Sequence, residues 1–166
     1  ELTLLNNRFN DGKCDPWGRF WAGSLRYDFH SKAGNLWRLN SKLESSLMLD
    51  GVTISNGLSW SLDRKNLFYI DSPTLHVRRF MLSDNGDIID DGEVCIQIPS
   101  GWDCSPDGMT IDCNGMLWIA LWNGSAVTCW DPDSGKHLAT VKVPCSKVTS
   151  CCFGGLDLDV LYITTA

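Results

Sequence analysis

Apolar and polar positions alternate along this chain in short runs, and no stretch sustains the spacing of a helix face. Three runs are centred on aromatics: Phe20-Trp21-Ala22, Leu67-Phe68-Tyr69-Ile70 and Leu117-Trp118-Ile119-Ala120. Each is followed by a third run, Leu36-Trp37-Arg38-Leu39, Val77-Arg78-Arg79-Phe80 or Val127-Thr128-Cys129-Trp130, and then by a fourth at 46–49, 93–98 or 137–143. Ahead of each series stands a dipeptide, Asp11-Gly12, Asn56-Gly57 or Asp107-Gly108, spaced 45 and 51 residues apart. Each dipeptide opens its unit ahead of the first strand-like run, and Asp-Gly and Asn-Gly are also common turn dipeptides. Asp15-Pro16-Trp17-Gly18, Asp84-Asn85-Gly86, Cys113-Asn114-Gly115 and the segment Asp131 to Gly135 supply further turn residues.

Many short strands at regular spacing predict an all-β fold, and four strands per repeat of this length describe the blade of a β-propeller. The aromatics on successive strands then fill the wedges between blades. The chain holds three such units and the first two strands of a fourth, residues 148–153 and 160–165. Propellers close with typically about four to eight blades, so three and a half leave two open flanks. The expectation is a single domain over 1–166, a partial propeller lacking its first blade or blades and its C-terminal closing part.

Composition narrows the function. The 166 residues are 43% hydrophobic and 20% charged, an ordinary globular balance. A net charge of −6 with 14 scattered Lys and Arg argues against a non-specific nucleic-acid binder and suits a small molecule or a cation. The apolar run from Met116 to Trp122 is far short of a membrane span, and Glu1 to Leu5 lacks the features of a secretory signal. Eight cysteines form no Cys-x-x-Cys pair and have no nearby His at zinc spacing. They read as reduced, mostly core thiols of a cytoplasmic protein, Cys151-Cys152 among them, with a disulfide set as the alternative.

The stretch Asn7-Arg8-Phe9-Asn10-Asp11-Gly12-Lys13, followed by Asp15-Pro16 and Gly18-Arg19-Phe20-Trp21-Ala22-Gly23, resembles the hallmark of the regucalcin (senescence marker protein), gluconolactonase and luciferin-regenerating enzyme family. Ile54-Ser55-Asn56-Gly57-Leu58-Ser59-Trp60, Pro106-Asp107-Gly108-Met109 and Lys147-Val148-Thr149-Ser150-Cys151-Cys152-Phe153-Gly154-Gly155 agree with it, in order and at fitting spacings. The resemblance implies a six-bladed propeller with a divalent metal on its axis, held by a Glu of the first blade, an Asn and an Asp. It makes Asn56 and Asp107 metal ligands, Arg8 and Asn10 contacts to a small-molecule lactone substrate, and Asp28 the nearest candidate for an acidic contact in the loop after the Ala-Gly strand. The first-blade Glu would precede Glu1.

Ring opening of a cyclic ester needs charge stabilisation at the carbonyl oxygen and an activated water, both within reach of a divalent cation. Oxygen donors such as Asn56 and Asp107 suit Ca²⁺, Mg²⁺ or Mn²⁺ and tolerate Zn²⁺. Asp107 is equally placed to act as a general base, since a carboxylate beside a cation stays ionised. Two other readings stand beside a metal-dependent lactonase: a non-catalytic calcium-binding regulator, and a luciferin-regenerating enzyme. A WD-type interaction propeller has only Trp130-Asp131 in its favour. Asp131 to Gly135 reads as a turn rather than a calcium loop, Asn123-Gly124-Ser125 as a turn rather than a glycosylation site, and His30, His76 and His137 as surface or turn residues. The isolated piece is expected to bind metal weakly and to be inactive.

Overall fold

A computed structural model describes residues 6–166; the leader reading of Glu1 to Leu5 lies outside them. Fourteen strands follow one another among the described residues: β1 (Asn7–Cys14), β2 (Phe20–Arg26), β3 (Gly34–Leu39), β4 (Ser45–Val52), β5 (Ser55–Trp60), β6 (Asn66–Asp71), β7 (His76–Met81), β8 (Glu93–Gln97), β9 (Ser105–Ile111), β10 (Leu117–Trp122), β11 (Ala126–Asp131), β12 (Lys136–Lys142), β13 (Val148–Gly154) and β14 (Val160–Thr165). They form three four-stranded antiparallel meanders, β1 to β4, β5 to β8 and β9 to β12, and a two-stranded sheet, β13 and β14. This is a partial β-propeller with the predicted blade order. No helix among the described residues is long and apolar enough to cross a membrane.

Strand β1 contacts β5, β5 contacts β9 and β9 contacts β13, so the first strand of each blade lies innermost. Burial contrasts the inner strand of the second blade with the outer strand of the third, while β1, innermost in the first blade, is largely exposed. Every residue of β5 is buried, whereas every residue of the outermost strand β12 is exposed. The apolar core is sandwiched between blades, as wedge filling requires. Trp21, Leu36, Trp60, Tyr69 and Phe80 pack between the first and second, and Phe68, Ile70, Met109, Ile119 and Trp130 between the second and third. Ala120, Val127, Val148 and Cys151 form the smaller third layer.

Turn carboxylates lock the aromatics in place. Asp15 accepts hydrogen bonds from the Trp17 and Arg19 amides, each at 2.9 Å, from Arg19 Nε at 2.6 Å and from Trp21 Nε1 at 2.8 Å. Asp112 repeats the device two blades on, accepting from the Asn114 and Met116 amides and from Trp118 Nε1. Each carboxylate closes the turn between first and second strands and fixes the indole six residues later.

The dipeptides, expected ahead of the first strands, are inside the innermost strands instead, where they form β-bulges. Register passes from Phe9↔Ser24 to Gly12↔Ala22 in the first blade, so Asn10 and Asp11 oppose one residue. It slips likewise between Asn56 and Leu58, between Pro106 and Met109, and between Val148 and Ser150. Neither Gly57 nor Gly108 adopts a positive φ. Glycine is required by close approach: a Cβ on Gly57 would stand 2.8 Å from the Asp107 carbonyl oxygen, and one on Gly108 2.3 Å from Ser150 Oγ.

The minor readings divide. All eight cysteines are unpaired, with Cys129 and Cys151 buried. Cys152, expected in the core, is exposed because alternate side chains of β13 point to opposite faces. Asp131 caps its own turn through the Asp133 amide and Ser134 Oγ, and Asn123 sits at φ 67° in the turn after β10. His30 is exposed and His76 half-buried. His137, also exposed, packs tilted against Trp130 with ring centroids 4.8 Å apart and edge-on to Trp102 at 5.3 Å.

Candidate functional site

Four bulges at equivalent points of four inner strands turn Asp11, Asn56, Asp107 and Thr149 toward one end of the bundle. A bulge bends its strand and re-aims a side chain that regular alternation would bury in a blade face. All four residues line a cavity of about 570 Å³ at the centre of the blades, together with Arg8 and Asn10 of β1. The structure therefore brings together Arg8, Asn10, Asn56 and Asp107.

A directed chain of hydrogen bonds connects its floor. Arg8 Nη1 donates to Asn10 Oδ1 at 2.9 Å, and Asn10 Nδ2 donates to Asn56 Oδ1 at 2.9 Å and to the Ser55 carbonyl at 2.8 Å. Asn56 Nδ2 donates to Ser72 Oγ at 2.7 Å, and the Ser72 hydroxyl donates to the Pro106 carbonyl at 2.6 Å. The chain crosses three blades, from β1 through β5 and the turn after β6 to β9. It fixes both Asn amides, and it leaves Asn56 Oδ1 a second lone pair for another donor or a cation.

Asp107 stands differently. Among the described residues no side-chain donor or cationic group bonds its carboxylate. Burial first, and then the charge of Asp11, push its carboxyl up to about 7, against a smaller opposing pull from the Gly108 amide. Asp11 is also raised, chiefly by burial, with its own Gly12 amide and the Lys13 ammonium working the other way. Lys13 reaches across the axis to donate to the Met109 carbonyl at 2.7 Å, and burial lowers its pKa. Two half-buried carboxylates on one axis, neither of them in an ion pair among the described residues, make a place where positive charge is favoured.

No cluster of three His, Cys, Asp or Glu side chains is gathered among the described residues. Asp107 and the free lone pair of Asn56 fit part of a hard-cation shell, which takes oxygen donors and tolerates a neutral amide among them.

Asp28 is not brought in. Its Oδ1 lies 3.0 Å from Arg26 Nε and accepts from the His30 amide at 3.1 Å, and it does not line the cavity. The neighbouring Phe29 does line it, held at φ 56° with its amide donating to the Arg26 carbonyl. Sequence reasoning missed Phe29, and also Asp11, Ser72, Trp122, Thr149 and Ser150. For Asp11 a signal was present, since it occupies the same repeat position as Asn56 and Asp107. Ser72 and Trp122 carried none: Ser72 stands in the turn after β6 and Trp122 at the end of β10, and only the assembled blades bring them to the cavity.

The model of the SMP-30/Gluconolactonase/LRE-like region matches residues 2–166. YvrE of Bacillus subtilis, whose name assigns it provisionally to the sugar lactone lactonases, is 45% identical over 161 residues, covering 96% of this chain and 54% of its own. Among solved structures, luciferin-regenerating enzyme is 34% identical with a TM-score of 0.91, covering 97% of this chain and 54% of that one. Regucalcin from Agrobacterium tumefaciens, described as a calcium-binding protein, is 29% identical with the same TM-score, covering 98% and 55%. The chain thus spans a little over half the length of the curated relatives it matches. With a family model matched across almost every residue and a fold superposing on solved members, the chain belongs to the SMP-30/gluconolactonase/LRE-like family.

Proposed function

We propose that this chain supplies the Asn56 and Asp107 ligands and the Arg8 and Asn10 substrate contacts of a metal-dependent lactone hydrolase. The observation that carries the reading is Asp107: a cavity carboxylate with no bonded cation, pushed up to about 7 by burial and by Asp11. A divalent ion, Ca²⁺ or Zn²⁺ with Mn²⁺ and Mg²⁺ also suited, would be held there by Asp107 and Asn56. When bound it supplies Lewis-acid polarisation of the ester carbonyl and a lowered pKa for water.

The protein's own groups do the rest. Arg8, part of whose guanidinium is committed to Asn10 and the Phe9 carbonyl, presents donors at the cavity wall to ring or hydroxyl oxygens. The hydrogen-bond chain through Asn10, Asn56 and Ser72 holds these groups in fixed orientation, which removes reorganisation from the reacting complex. Asp107, kept ionised once a cation stands beside it, is the carboxylate that takes a proton from water and returns it to the opened ring.

The test is hydrolysis of a panel of γ- and δ-lactones, including D-glucono-δ-lactone, by the full-length protein. Asp107→Ala is expected to lower kcat by about a hundredfold or more at saturating metal; a rate equal to wild type sinks the mechanism. A second reading, a calcium-binding regulator, has support in the likeness to a protein described as calcium-binding. Calcium binding that depends on Asp107, with no lactone in the panel turned over, selects it. We place the protein in the cytoplasm on the strength of its unpaired thiols.

A further inference from the structure

The cavity has two unlike surfaces. Its floor is polar, but there Asn10, Asn56 and Ser72 largely satisfy one another and the Ser55 and Pro106 carbonyls. Apolar side chains line the rest of it, the rim, beside the polar Arg8, Ser105, Thr149 and Ser150: Leu25 and Phe29 come from the first blade, Ile54 and Pro73 from the second, and Trp122 from the third.

Both aromatic members of this rim are held and accessible. Phe29 is 57% exposed and sits in the left-handed region, which a bulky L residue rarely adopts. That backbone places Phe29 in the lining, while Asp28 turns away to Arg26 and the His30 amide. Trp122 is 37% exposed; its ring has Lys147 Nζ 5.2 Å from the centroid, and its backbone bridges to Lys147. Neither ring belongs to the packed layers between blades.

We propose that Phe29 and Trp122 form a specificity wall that takes an apolar substituent, so that the preferred substrate is an alkyl- or aryl-substituted lactone rather than a fully hydroxylated sugar lactone. The carbonyl end enters the polar floor and the hydrocarbon lies along the rim. Hydroxyls set against the faces of these two rings lose water without gaining partners from them, which disfavours a polyol on that side of the cavity. Each buried methylene instead gains a factor of about four in binding. The inference rests on the lactone-hydrolase reading for its reaction, but the wall stands independently of turnover.

Two lactones of one ring size separate the possibilities: a δ-lactone bearing a pentyl chain, and D-glucono-δ-lactone. Wild-type full-length protein is expected to favour the pentyl lactone in kcat/KM by about tenfold or more. Phe29→Asn, which suits the left-handed backbone and sits at an exposed position, is expected to lower that ratio about tenfold, and Trp122→Ser to lower it in the same direction. A preference for the sugar lactone, or a ratio unchanged in Phe29→Asn, overturns the proposal. If neither lactone is hydrolysed the hydrolase reading fails, and the matching non-hydrolysable δ-lactams decide the wall by calorimetry. Tighter binding of the pentyl lactam, weakened in Phe29→Asn, supports it; equal binding of the pentyl and polyhydroxylated lactams overturns it.

Discussion

The metal-free stability of this protein should rise when Asp107 loses its charge. In the folded chain its carboxyl titrates near 7, whereas in the unfolded chain it titrates at 3.8. Below 3.8 both states hold the proton and the group contributes nothing. Between the two values the folded state binds more protons, so stability falls as pH rises, and above about 7 the full penalty applies. At about 1.36 kcal/mol per pH unit this difference corresponds to about 4 kcal/mol. The residue is only half-buried, and solvent screening reduces the figure to about 2 kcal/mol. Asp107→Asn keeps the shape and removes the charge. In EDTA at pH 8 it should melt about 4 to 8 °C above wild type, and the gap should close by pH 4. Saturating divalent cation should reverse the order, because a ligand at a hundred times its Kd stabilises the binding-competent wild type by about 2.7 kcal/mol. Differential scanning fluorimetry at the two pH values, with and without cation, measures all of this. An Asn variant less stable than wild type in EDTA at pH 8 would refute the picture of Asp107 as a charge held ready for a cation.

Two further expectations concern the frame. Gly57→Ala should force β5 away from β9, because the added Cβ meets the Asp107 carbonyl at 2.8 Å and Met109 Cβ at 2.9 Å; calorimetry should show cation affinity lost by about tenfold or more at a stability cost of about 1 to 3 kcal/mol. Asp15→Ala should destabilise the chain by about 3 to 5 kcal/mol in urea unfolding, since it strips a fully buried carboxylate from Arg19, two amides and the Trp21 indole at once.

Blade count and strand order were legible because each strand is short, apolar and closed by residues with a specific turn chemistry, so that periodicity and punctuation agree. Asn56 and Asp107 were legible because the repeat returns them to one phase. The bulge was not, since Asp-Gly and Asn-Gly serve turns equally well and only the approach of a neighbouring strand separates the two uses. Asp28 was misplaced for a related reason: position along the loop fixes which residues are near the axis, but the φ of Phe29 decides which side chain faces it. The hydrogen-bond chain from Arg8 to Pro106 spans residues far apart in sequence, and no local pattern encodes it.

The bulge repeated in every inner strand separates architecture from chemistry. Regular strands would tie any change at the axis to the packing of a blade face, because side chains alternate between the two. A bulged residue belongs to neither face. The axis thus offers four interchangeable sockets, filled here by Asp11, Asn56, Asp107 and Thr149. Their contents can be exchanged with little disturbance to the wedges of aromatics behind them. A propeller so built can change its ion or its reaction one residue at a time, and Thr149, the uncharged hydroxyl among the four, is the socket at which a redesigned coordination shell has most to gain.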